Sequence, residues 1–99
     1  MQMFQIYERP LGYQQIASLS AATKLTIPAG TKLILVQAEG QAVRWRDDNV
    51  DPTATVGYPL TAGSELRYTG WAAAHPSLKF IEQVAGAKLN VLYYGVGET

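Results

Sequence analysis

Apolar residues in this chain recur in short alternating runs, and Gly, Pro and polar clusters interrupt them at close intervals. Alternation over about four to eight residues is the period of a half-buried β-strand, and such punctuation marks the turns between strands. Lys32 to Ala38 (KLILVQA) is too short for a typical helix and rich in aliphatic side chains, so it predicts a buried strand. Gln41 to Arg46 (QAVRWR) alternates cleanly, with Val43 and Trp45 on one side and Arg44 and Arg46 on the other. With Glu39-Gly40 between them, the two runs predict a hairpin. Leu78 to Gln83 (LKFIEQ) and Lys88 to Tyr94 (KLNVLYY) flank Ala85-Gly86 as a second hairpin. Glu65 to Thr69 (ELRYT) is a further strand, and Thr53 to Val56 is β-prone. Gln14 to Ala17 and Lys24 to Ile27 are shorter strand candidates, and Gln14 to Ala22 competes as a helix.

An internal echo supports the turns. Ala29-Gly30, Ala62-Gly63 and Ala85-Gly86 are each followed by a small residue, a charged residue and Leu, directly before an alternating run. This chemistry predicts a tight turn with Gly at positive φ, then a strand. The unequal spacing of the three copies argues against a solenoid or propeller.

Short strands throughout predict an all-β fold: a small antiparallel β-sandwich, with a jelly roll or a small barrel as its variants. Residues 1–22 are assigned to an extended N-terminal arm or edge segment, and residues 23–99 to the sandwich domain. Alternation assigns Leu33, Leu35, Val43, Trp45, Leu66 and Tyr68 to the core. Leu25, Ile27, Phe80, Leu89, Val91 and Tyr93 join them. Ile34, Val36, Ile81 and Leu92 then fall on opposite faces and need cover.

Composition narrows the function classes. Ninety-nine residues make one domain, long enough to bury a core without metal or disulfide staples. Eight Lys plus Arg balance eight Asp plus Glu, so there is no electrostatic footprint for direct nucleic-acid binding. Charged residues are 16% of the chain, below the roughly 25% of an average domain, which suits a protein packed against neighbours. There is no cysteine, so disulfides and thiolate metal sites are excluded. The first ten residues lack a basic stretch followed by an apolar one, and no apolar run has the length of a membrane helix. The expectation is a protein made in the cytoplasm, with no membrane partner.

No catalytic, cofactor-binding or metal-binding set emerges, and the chain is expected not to be an enzyme. His75 is the sole histidine and has no partners at metal-ligand or triad spacing. Asp47, Asp48 and Asp51 cluster around Asn49, but no downstream Glu completes a calcium loop, and the same residues are ordinary turn formers. The glycines match neither a P-loop nor a dinucleotide fingerprint. Two Trp and six Tyr could build a sugar-stacking platform, although they are equally at home in sandwich cores and interfaces.

Three segments, IPAGTKLILVQAEGQAVRWRDD (Ile27 to Asp48), DPTATVGYPLTAGSELRYTG (Asp51 to Gly70) and LKFIEQVAGAKLNVLYYG (Leu78 to Gly95), resemble small virion structural proteins of tailed bacteriophages. Similar chains carry Gly where Asn49 stands here, and Asn also tolerates positive φ. The resemblance implies a non-enzymatic virion component, most simply a capsid decoration or cement protein. Its partners would be the major capsid protein or other virion proteins, and its state a homo-oligomer. A neck, tail or fibre-associated module is the alternative place in the particle, and a carbohydrate-binding sandwich the alternative class.

Candidate interface residues follow from exposed apolar content. Met3, Phe4, Ile6, Tyr7 and Tyr13 crowd the N-terminal segment, where Arg9-Pro10 and Gly12 favour extended chain. Trp71 and His75 stand in the Gly70 to Pro76 loop, and Trp is a favoured interface anchor.

Overall fold

The computed structural model describes residues 9–69 and 78–96. These residues form eight strands: β1 (Arg9–Ile16), β2 (Thr23–Lys24), β3 (Leu33–Glu39), β4 (Val43–Arg46), β5 (Tyr58–Leu60), β6 (Glu65–Thr69), β7 (Lys79–Glu82) and β8 (Lys88–Gly95). Two four-stranded antiparallel sheets result, ordered β1-β8-β3-β6 and β2-β7-β4-β5. The predicted all-β sandwich is therefore present. Its pairing, 1 with 8, 2 with 7, 3 with 6 and 4 with 5, is that of a long two-stranded ribbon wrapped into two sheets, the jelly-roll arrangement.

That topology corrects both expected hairpins. β3 and β4 lie in different sheets, as do β7 and β8. The Glu39-Gly40 and Ala85-Gly86 turns carry the chain across the sandwich instead of reversing it within one sheet. The two crossings lie against each other: a Cβ on Gly40 would stand 2.9 Å from the Gly86 carbonyl oxygen. Gly40 also has φ of 85° and Gly86 of 104°, a region that L side chains rarely adopt. Steric room and backbone conformation both select glycine at residue 40.

The core lies between the sheets. Ile34, Val36 and Ala38 of β3 meet Tyr93, Val91 and Leu89 of β8 in direct register, and all six are buried. Val43 and Phe80 face them from the second sheet, with Leu19, Leu60 and Leu78 filling in. Leu25, Ile27, Trp45, Leu66 and Tyr68 pack around this centre half-buried. The expected phase of β3 is reversed from Ile34 to Val36, where Ile34 and Val36 point inward and Leu35 pairs with Leu92 on the outer face, while Leu33 is buried as expected. The cause is that KLILV is apolar on both faces, so its own alternation sets no phase. Its neighbours β8 and β6 impose one by register.

Arg9–Ile16 is an integral edge strand paired to β8, and Leu19 is fully buried. β1 is thus an edge segment of the first sheet. Gln14 to Ala17 is strand and irregular chain, and Thr53 to Val56 is a turn. In that turn the Thr53 Oγ1 accepts from the Val56 amide at 2.9 Å, a local bond that competes with strand pairing.

The phase of β3 has a direct check. Ile34→Ala should cost about 2–5 kcal/mol, as for a fully buried aliphatic truncated in a core. Leu35→Ala should cost markedly less. Urea denaturation of the two variants measures the difference, and equal losses would mean that the register of β3 is wrong.

Candidate functional site

One end of the sandwich opens into a cleft of about 370 Å³, lined by Trp45, Arg46, Asp47, Asp48, Gly57 and Tyr58. Its aromatic wall comes from three strands. Trp45 of β4 stands in register with Tyr58 of β5 and Phe80 of β7, on the inner side. The Trp45 ring meets Tyr58 edge-to-face at 5.4 Å and Tyr68 of β6 edge-to-face at 6.0 Å. Such contacts fix ring orientation beyond what burial alone provides. Tyr58 remains 67% exposed, so much of its ring is presented to solvent.

The polar rim comes from the loop after β4, where the three clustered aspartates separate. The Tyr68 hydroxyl donates to Asp47 Oδ2 at 2.5 Å. Asp48 takes a two-pronged bond from Arg46, Nε to Oδ1 at 2.9 Å and Nη2 to Oδ2 at 2.5 Å. Asp51 accepts from the Lys79 ammonium at 2.6 Å. Each carboxylate is drawn to a different partner, so the loop is a pinned turn and does not converge on one centre. Among the described residues no group of three or more His, Asp or Glu is placed to hold a metal ion. Asn49 takes φ of 66°, the conformation expected of an Asn at this point of the turn. Gly57 closes the loop under Trp45: a Cβ there would lie 3.1 Å from the Arg44 Cβ and 3.2 Å from the Pro52 Cβ. Arg44 Nη1 donates to the Gly57 carbonyl at 2.8 Å, which ties the loop's end back to β4.

Electrostatics follow this wiring. The hydrogen bond from Arg46 holds the Asp48 carboxyl below its ordinary range. Burial, and then the Asp47 carboxylate that accepts its proton, push the Tyr68 phenol well above its ordinary value. In the core, burial pushes Tyr93 up to about 12, and its hydroxyl donates to Gln14 Oε1 at 2.6 Å. Chemically, the cleft offers an exposed aromatic ring and a guanidinium-carboxylate fork beside it.

A second surface is the outer face of the β1-β8-β3-β6 sheet. Tyr13, Leu92, Leu35 and Arg67 form one row across its four strands. Tyr13 is 59% exposed and Leu92 38%. The next row is polar, where Asn90 Oδ1 accepts from the Tyr13 hydroxyl at 2.7 Å and from Gln15 Nε2 at 3.1 Å. Asn90 Nδ2 donates onward to Glu39 Oε1 at 2.9 Å. Of the expected interface residues, Tyr13 lies on this face. Met3, Phe4, Ile6, Tyr7, Trp71 and His75 lie outside the described residues.

The pairing of Trp45 with Tyr58 and Tyr68 did not emerge from the sequence. Its one sequence signal was the inward phase of Trp45 in QAVRWR. Compared with known family models, curated proteins and solved structures, the chain matches none.

The raised phenols set an alkaline limit on stability. A tyrosine in the unfolded chain ionises near about pH 10. Tyr93 and Tyr68 hold their protons to higher pH when folded. Their contribution is complete below about pH 10 and is lost as pH rises through the folded values, reached for Tyr93 at about 12. Tyr93→Phe and Tyr68→Phe should each lessen the loss of stability between about pH 8 and about pH 11, measured by urea midpoints. An alkaline loss unchanged in both variants would exclude them as its source.

Proposed function

We propose that this protein is a non-enzymatic structural component of a bacteriophage particle, a decoration or cement protein that binds the assembled major capsid protein. The observation that carries the reading is the outer face of the β1-β8-β3-β6 sheet. There Tyr13, Leu92 and Leu35 lie side by side against an organised polar row. Large apolar groups left partly in water on a rigid sheet suit a surface that a neighbour covers. The low charge content and the resemblance of Ile27 to Gly95 to phage virion proteins support the same reading. Jelly rolls occur in viral capsid and lectin domains alike, so the fold is compatible with the proposal without selecting it.

A neck, tail or fibre-associated position is the variant within this reading. A carbohydrate-binding module is the second reading, favoured by the exposed Tyr58 ring held on Trp45 beside the Arg46-Asp48 fork. A sugar ring stacks on such a face while its hydroxyls meet the fork.

The test uses particles produced from the genome that carries this gene. Labelled protein should co-sediment with them at hundreds of copies if it decorates the capsid, and at a few if it belongs to the neck or tail. The double change Tyr13→Ser with Leu92→Ser should abolish association while the domain keeps its fold by circular dichroism. Absence from the particles, together with glycan-array binding that Tyr58→Ala removes, would replace this proposal with the second reading.

A further inference from the structure

We infer that the β6 edge is a homodimerisation surface, on which two copies pair antiparallel about a two-fold axis at Leu66. The inference stands apart from the proposed role in a particle.

Among the described residues, the two four-stranded sheets leave four edge strands, β1, β6, β2 and β5. Exposed edges are templates for pairing with another chain, and proteins blunt them with short strands, prolines and bulges. Three of these edges carry such devices. β2 is two residues long. β5 is three residues long with Pro59 at its centre. β1 contains Pro10, and its register slips between Pro10 and Gly12. β6 has none of them: it is five residues without Pro or Gly, in unbroken register with β3 from Glu65 to Thr69.

The side chains of this strand select the partner. Leu66 and Tyr68 face the core, and Glu65, Arg67 and Thr69 face outward and are exposed. A second copy added antiparallel must keep inward residues opposite inward residues. Within the strand two registers satisfy this best. With the axis at Arg67, two arginines stand opposite each other, which is destabilising. With the axis at Leu66, Glu65 stands opposite the partner's Arg67 and Arg67 opposite the partner's Glu65. Leu66 then meets its own copy on the apolar side. Charges that protect an edge against other strands become complementary against this one, so the device that forbids promiscuous pairing permits the symmetric one. The product is a continuous eight-stranded sheet, its two apolar outer rows on one face. A five-residue edge is small beside the roughly 1,200–2,000 Å² of a stable interface, so the association is reversible and concentration-dependent.

Analytical ultracentrifugation of the full chain over roughly 1–500 µM tests this. Wild type should pass from monomer to dimer within that range. E65R and R67E each replace two attractive pairs by two repulsive ones and should weaken the dimer at least about tenfold. The exchange E65R/R67E should restore it. Both sites are exposed, so melting temperatures should hardly move. The register has its own probe, since the chain lacks cysteine. Residues opposite their own copy in an antiparallel pair have Cα atoms about 4.5–5.5 Å apart, within disulfide span. Under mild oxidation Leu66→Cys should therefore cross-link and Arg67→Cys should not. A monomer at every concentration would overturn the inference. So would single-charge variants that dimerise as wild type, or an exchange variant that fails to recover.

Discussion

The period of two along β8 governs the rest of this structure. β8 runs from Lys88 to Gly95 and is hydrogen-bonded to β1 on one side and β3 on the other. Leu89, Val91 and Tyr93 are buried, and Leu92 between them is open to solvent. Because residues opposite each other in a sheet share a face, this phase passes to both neighbours. It turns Ile34, Val36 and Ala38 inward and places Tyr13 outward beside Leu92. β3 then passes the phase to β6, where Leu66 and Tyr68 turn inward. A strand with two apolar faces thus acquires its orientation from a strand that has one.

The same constraint explains what was legible in the chain. β4, β6 and β8 each alternate clearly, and their inward residues were read correctly from Val43, Leu66 and Val91. β3 was not, because KLILV satisfies either phase and the deciding information sits far along the chain in NVLYY. The turns were legible as turns: Gly30, Gly63 and Gly86 all take positive φ, as the Ala-Gly echo predicts. Their destination was not. A glycine turn between two strand runs encodes a change of direction, and local chemistry is the same whether the chain returns to its own sheet or crosses to the other. The choice depends on which faces must meet, a property of all eight strands together.

The cleft shows a similar division. The clustered aspartates were visible in sequence. Their separate bindings were not, because Tyr68, Arg46 and Lys79 come from three different strands. The loop from Asp47 to Gly57 is long for a connection within a small domain. It is held at its start by Asp47 and Asp48, in its middle by Asp51 and buried Pro52, and at its end by Gly57. A loop pinned along its length presents Tyr58 in a fixed orientation, which is what distinguishes a prepared surface from an exposed side chain.

A jelly roll wraps its ribbon without closing it, so edge strands are an unavoidable cost of the topology. Here they are treated unequally. Shortness and proline disable β2 and β5, and a bulge disturbs β1. β6 keeps a straight, regular edge, and its register with β3 shows no slip. Such asymmetry is not required for folding, because the core contacts of Leu66 and Tyr68 would survive a proline or an extra charge at the outward positions. A regular edge costs solubility unless something limits what pairs with it. The alternation of Glu65 and Arg67 supplies that limit, since most foreign strands would set at least one like charge against it. The outward residues of β6 therefore act on specificity, while its inward residues act on stability. A strand of five residues carries both functions because its two faces are read by different neighbours.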